Sequence, residues 1–317
     1  MDESNQYRED VLGKGFKSLE FQFPDDYEGK VKSVLIFRPS AHNTKKAILY
    51  VHGYIDYFFQ TELADHFNEW GYNFYAIDLR KYGRALMPHQ KPNFVRNMEE
   101  YFPDLDRAIE QIKMDGNTNL VLMGHSTGGL LTPLYLSTQK DDFISGLLLN
   151  SPFLDLNIPK FLRKILSLPL WLGKNFENLS MDFLPQHYPK SLHKDYKGEW
   201  DFNLNWKPVV NFPFYFTWMR AIRLAQLRLQ NGLNISAPIL VLHSDKSYKS
   251  RKWSDKVMEQ DAVLDVEHMI KYANALGNNV SVVEVANAMH DMVLSRPNVR
   301  KQVYEEMFNW LKSNSLV

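Results

Sequence analysis

Cysteine is absent from the 317 residues, which excludes disulfides, thiolate metal sites and a cysteine nucleophile. Net charge is absent too, because Lys+Arg and Asp+Glu both number 37. Such a chain has no global field to draw in nucleic acid, and no local basic cluster supplies the phosphate-binding term that dominates those complexes. Nucleic acid is therefore not an expected partner. No apolar run approaches the ~20 residues needed to span a bilayer. The opening Met1-Asp2-Glu3-Ser4 carries neither a basic segment nor an apolar core of the kind that directs secretion. A cytoplasmic location is the expectation, and the sequence specifies no oligomeric state.

What is present is apolar and patterned. The hydrophobic fraction is 44% and the aromatic fraction 14%, enough for a large core. Phe16 to Phe23 alternates apolar and polar residues, and Val31 to Phe37 follows after the turn residues Asp25 and Asp26, which predicts two half-buried strands. Ala47 to Val51 is continuously apolar, as a parallel strand covered on both faces would be. Further strands are predicted at Phe74–Ile77, Leu120–Met123, Gly146–Asn150, Pro238–Leu242 and Val280–Val285. Helices are predicted at Gln60–Trp70, Asn97–Met114, Val266–Leu276 and Val299–Leu311. The alternation implies an α/β fold with a mostly parallel sheet and an antiparallel start. It breaks from Ser151 to Ala237, which reads as a helical cap inserted into a core formed by 1–150 and 238–317.

The chemistry concentrates at Gly124-His125-Ser126-Thr127-Gly128, between an apolar strand and a helical stretch. Ester or amide cleavage by serine needs a hydroxyl beside a base and donors for the oxyanion. A serine on a sharp strand-to-helix turn meets the first need, and the crowding around it explains glycine two residues to either side. The Thr127 N–H, at the start of the helix, is the natural oxyanion donor. A second donor is expected from the end of an earlier strand, where Gly53 lets the chain bend and Tyr54 offers its N–H. Among the ten histidines, His290 has the right setting for the base, on a loop after the last strand. His125 lies beside the nucleophile but points elsewhere on the turn. For the acid that orients the base, Asp261 precedes the helix that leads to the His290 strand. Asp245 stands at the end of Pro238–Leu242 and is the second choice. Asp265, which looks like a helix N-cap, is third.

The order Ser126, Asp261, His290 in these contexts resembles the α/β-hydrolase superfamily. The wider pattern is most similar to its monoacylglycerol lipase and lysophospholipase branch, through His52-Gly53, Asp78 to Arg84, the serine turn and Ser151-Pro152. Members of that branch usually carry Gly-His-Gly where this chain has Lys81-Tyr82-Gly83, and a small residue where it has Tyr54-Ile55. The resemblance implies a serine hydrolase that needs no cofactor or metal and acts on a small-molecule ester with an acyl chain. An aminopeptidase or amidase on the same scaffold is the alternative, and a non-catalytic protein that binds an apolar ligand is a third reading. In the cap, Ile158, Phe161, Leu162, Ile165 and Leu166 form a helical stripe with Lys160, Arg163 and Lys164 opposite. That stripe fits plain packing on the core equally with a lid touching an anionic membrane surface.

Overall fold

A computed structural model describes residues 6–139, 142–157, 177–181, 187–210, 212–249 and 252–317. In chain order its strands are β1 (Arg8–Glu9), β2 (Lys17–Asp26), β3 (Gly29–Arg38), β4 (Lys46–Val51), β5 (Asn73–Asp78), β6 (Asn119–His125), β7 (Ile144–Asn150), β8 (Ser180–Met181), β9 (Phe214–Tyr215), β10 (Ile239–Ser244) and β11 (Val280–Val285). Nine of them form one sheet in the order β1-β2-β3-β5-β4-β6-β7-β10-β11. Pairing is antiparallel from β1 through β5 and parallel from β5 to β11. The mostly parallel sheet with an antiparallel start is thus as the sequence pattern implies.

The period of the strands divides the core in two. In β4, Ala47, Leu49 and Val51 join one apolar cluster, while Ile48 and Tyr50 join the other on the opposite face. In β6, Leu120 and Leu122 go to the first cluster and Val121 and Met123 to the second. All these side chains are fully buried, which is why the sequence here is continuously apolar rather than alternating. In β2, Leu19 and Phe21 are buried while Glu20 between them is exposed, the alternation of a sheet covered on one face.

Helices run over Thr61–Glu69, Phe102–Met114, Gly128–Leu136, Val266–Ala273 and Pro297–Ser313. The predicted Asn97–Met114 helix divides. Met98–Tyr101 is a 3-10 turn with a reciprocal cap between Asn97 and Glu100, and the α-helix begins at Phe102, with Pro103 in its first turn. Proline suits that position because the N–H it lacks would have no intrahelical acceptor.

Between β7 and β10 the described residues contain helices His187–Leu192 and Phe216–Gln230. They also contain the small antiparallel pair β8–β9, strands of two residues too short to carry a readable alternation. The basic-faced stripe from Ile158 to Leu166 lies outside the described residues.

Candidate active site

The carboxyl ends of β4, β6, β7 and β10 and the loop after β11 converge on Ser126. The serine follows β6 directly, with its N–H donating to the Asn150 carbonyl at 3.0 Å and a φ of 52°. Positive φ is strained for a residue with a side chain and persists only where the surroundings enforce it. Here the enforcing surroundings are backbone. A Cβ on Gly124 would lie 2.5 Å from the Gly128 carbonyl oxygen and from Thr132 Oγ1. One on Gly128 would overlap the carbonyl oxygens of Val51 and His52 at the end of β4. Both glycines are therefore steric requirements of the turn.

His290 Nε2 lies 3.0 Å from Ser126 Oγ, and His290 Nδ1 lies 2.9 Å from Asp261 Oδ2. A carboxylate only accepts, so the imidazole proton sits on Nδ1, leaving the Nε2 lone pair to face the serine hydroxyl. Asp261 is itself fixed. Its Oδ1 accepts from the N–H groups of Val263 at 2.9 Å and Leu264 at 2.7 Å, and its N–H donates to the Lys246 carbonyl at 2.9 Å. The three residues are buried, at 5% (Ser126), 3% (His290) and 0% (Asp261) exposure, so water screens their contacts little.

The other two acids are engaged elsewhere. Asp245 accepts from the Asn287 N–H at 3.0 Å and pairs with Lys246 at 2.8 Å. Burial pushes its carboxyl up, but these partners hold it below the ordinary value. Asp265 caps the helix Val266–Ala273, accepting from Glu267 N–H, and pairs with Lys249 at 3.0 Å.

Thr127 immediately precedes the helix Gly128–Leu136, so its N–H is one of the amides a helix start leaves without an acceptor. Gly53 packs so closely on the serine that a Cβ there would come 3.0 Å from Ser126 Cβ, and Tyr54 is the next residue along the chain. Among the described residues neither amide has an acceptor. His125 turns away from Ser126 Oγ. Its Nδ1 donates to the Asn150 carbonyl at 3.1 Å, and its Nε2 lies 4.0 Å from Asp291 Oδ2.

Asn150 is the residue sequence reasoning overlooked. Its carbonyl receives Ser126 N–H and His125 Nδ1–H, its Nδ2 donates to Asp291 Oδ1 at 2.7 Å, and its Oδ1 accepts from Met292 N–H at 3.2 Å. It thus ties the serine turn to the loop that carries His290. The only hint in the sequence is a polar residue closing an apolar strand. Asp56, His125 and Asp291 bring potential metal-ligand atoms within 4.8 Å of one another. However, Asp291 accepts from Asn150 and Gln60 amides, and Asp56 already pairs with a buried lysine, Lys207, at 2.6 Å. Both Asp291 oxygens and Asp56 Oδ1 are thus met by protein donors, while Asp56 Oδ2 is buried with no hydrogen-bond partner among the described residues.

A sharp serine turn on a central strand, a histidine after the last strand and an acid between them define an α/β hydrolase. The sequence model of the serine aminopeptidase S33 family, Hydrolase_4, matches residues 42–295, and the chain belongs to that family. A probable lysophospholipase L2 of Haemophilus influenzae is 24% identical over 93% of this chain and 94% of its own length. A soluble variant of the Saccharomyces cerevisiae monoglyceride lipase, solved with a substrate analogue, matches with a TM-score of 0.67 at 19% identity, covering 93% of this chain and 96% of that one. The Paleococcus ferrophilus monoacylglycerol lipase matches with a TM-score of 0.62 at 19% identity, covering 94% and 99%. Among the described residues no helix is long and apolar enough to cross a membrane.

Proposed function

We propose that the protein is a cofactor-independent serine hydrolase of carboxylic esters, acting through an acyl-enzyme. The observation that carries this reading is the hydrogen-bonded chain from Ser126 Oγ through His290 to Asp261. His290 takes the serine proton as Oγ attacks the ester carbonyl, and Asp261 steadies the imidazolium that forms. The Tyr54 and Thr127 amides receive the negative oxygen of the tetrahedral intermediate. His290 then protonates the departing alcohol, and water releases the acid by the same steps in reverse. The lysophospholipase and monoglyceride lipases among the similar proteins support an ester with an acyl chain as substrate. In this reading residues 1–150 and 238–317 form the catalytic core and 151–237 a cap over the acyl site, which touches a membrane surface when the substrate is a lipid.

The test is a fluorophosphonate probe followed by intact mass. One adduct on the native protein and none on Ser126→Ala is expected, and equal behaviour of the two would defeat the reading. The name of the matched family favours a second reading, cleavage of aminoacyl amides by the same residues. A panel of p-nitrophenyl esters of rising chain length run beside aminoacyl p-nitroanilides decides between them, with faster turnover of the esters expected.

A further inference from the structure

The loop that follows β4 carries the Tyr54 amide, and its two ends are tied near β5, where Phe58 N–H donates to Asp78 Oδ1 at 3.0 Å and the His52 ring bridges the Gly53 carbonyl and Leu79 N–H. Among the described residues, the hydrogen bonds made by residues 54–57 are three, and all reach the segment inserted between β7 and β10. Tyr54 Oη donates to the Pro213 carbonyl at 3.4 Å, the Asn203 N–H donates to Tyr57 Oη at 2.7 Å, and Lys207 Nζ donates to Asp56 Oδ1 at 2.6 Å. Most ring contacts of the loop follow the same direction, although Tyr57 also packs on Phe59 at 5.6 Å and under Arg84 at 5.4 Å. Tyr54 packs on Trp218 with ring centroids 3.9 Å apart and meets Phe214 edge-on at 5.8 Å, while Tyr57 meets Trp206 edge-on at 5.1 Å.

The loop needs such support, because Ile55 sits at a φ of 49°. That conformation is unusual for any side chain and worse for a β-branched one, and it survives only where neighbours over-determine it. Of the three tethers, the Lys207–Asp56 pair is the charged one, and it is buried, with Lys207 6% and Asp56 2% exposed. The lysine stem is walled in by aromatic rings, its Nζ lying 5.6 Å from the Phe59 and 5.8 Å from the Phe202 ring centroid. A charge-assisted bond in so dry a setting fixes geometry more tightly than a neutral one. Asp56 also has a carboxylate oxygen within 4.8 Å of a ring nitrogen of His125, the residue before Ser126. The pair therefore stands between the Tyr54 loop and the serine turn.

We propose that Lys207 is a positioning residue of the oxyanion site. Through Asp56 it holds the 54–57 loop so that the Tyr54 N–H points at the oxygen that becomes negative on Ser126 attack. The inserted segment is then a working part of the catalytic centre, beyond any role as a cover. This inference rests on the serine hydrolase reading above.

The experiment compares native protein, K207M, K207R, D56N and the double variant K207M/D56N by ester kinetics, fluorophosphonate labelling rate and Tm. In K207M, kcat is expected to fall about tenfold or more with KM changed less than about threefold, because a misplaced donor costs transition-state binding selectively. The labelling rate should fall by a similar factor, and K207R should recover part of both. Should K207M fail to fold, the double variant removes the uncompensated buried carboxylate as well as the lysine. The proposal expects that variant to keep a low kcat while Tm returns toward the native value. A kcat within about twofold of native in a folded K207M, or its return to native in the double variant, would overturn the inference and assign the pair to charge balance alone. Failure of the native protein to label would overturn the serine hydrolase reading and this inference with it.

Discussion

The two loops that flank the proposed oxyanion position are held in opposite ways. The serine turn is fixed by close backbone contact, with Gly124 and Gly128 pressed against main-chain atoms of β4 and the following helix. The 54–57 loop is fixed through its own side chains, which meet backbone groups of Asn203 and Pro213, the Lys207 ammonium and the Trp218 ring. The difference teaches where each half of the site is written. A backbone fit imposes glycine at set spacing within five residues, whereas a side-chain fit scatters its partners through the chain.

The largest effect concerns the support of the histidine, a third part held mainly by local backbone. Asp261→Asn is expected to lower kcat by about 10³–10⁴-fold, because an amide in place of the carboxylate stabilises the wrong imidazole tautomer. Asp245→Asn should stay within about threefold of native, since Asp245 bonds Asn287 N–H rather than His290. Steady-state ester hydrolysis reads both, and equal losses would undo the assignment of the acid.

Next comes the backbone-held loop. Gly128→Ala places a methyl group on the Val51 and His52 carbonyl oxygens, so the turn must move. A loss of about 1–3 kcal/mol in stability is expected from overpacking, with kcat down about 10²-fold from displacement of Ser126. Urea unfolding and kinetics measure these, and a native-like variant would show that the turn yields more easily than its contacts imply.

The side-chain-held loop should break more gently. Tyr57→Phe removes the acceptor of the Asn203 N–H, a bond across 146 residues of sequence. Asn203 is exposed, so water can take up its freed N–H and a destabilisation of only about 0.5–1.5 kcal/mol is expected. The fall in kcat should be less than about tenfold, because Lys207–Asp56 and the Tyr54 contacts remain. A loss as large as that of Gly128→Ala would erase the contrast between the two loops.

The smallest effect is a matter of pH. His52 joins the loop to β5, its Nδ1 donating to the Gly53 carbonyl at 2.8 Å and its Nε2 accepting from Leu79 N–H at 3.1 Å. The second bond requires the neutral ring, because a protonated Nε2 has no lone pair left to accept with. Burial lowers its pKa, against the raising influence of Asp78 and Asp56. His125 is likewise lowered, chiefly by burial. A depressed folded-state pKa means that the unfolded chain binds the proton first on acidification. The stability contribution is complete above about pH 6.5, the unfolded value, and falls below it, by up to about 1.4 kcal/mol per pH unit for each group. Tm should therefore drop between about pH 7.5 and about pH 5.5, and His52→Asn should flatten that slope. An unchanged slope would remove His52 from the account.

Legibility followed the same division. Val280–Val285 has the boundaries its valine-rich pattern predicts, and β4 and β6 extend theirs by one or two residues at an end, because burial on both faces leaves an unbroken apolar run there. The serine turn was readable through its glycines, and His290 through its place after the last strand. Choosing among Asp245, Asp261 and Asp265 was harder, since all three precede helices or loops near the same strand and only the turn at Val263 and Leu264 aims one of them at His290. Asn150, Asp56 and Lys207 had no comparable signal. A buried lysine meets its carboxylate 151 residues away, and no local spacing encodes such a meeting.

The chain leaves the sheet at Asn150 and re-enters it at Ile239, where β10 pairs with β7. The described residues between are, for the sheet, one long closed loop, and closure entropy grows only with the logarithm of loop length. Doubling that loop would cost about 0.6 kcal/mol, less than a typical hydrogen bond contributes. Chain entropy therefore leaves the length of the insertion almost free to vary. A graft of a different insertion would close the sheet as readily, but would keep the 54–57 loop in place only if it also delivered a cation to Asp56.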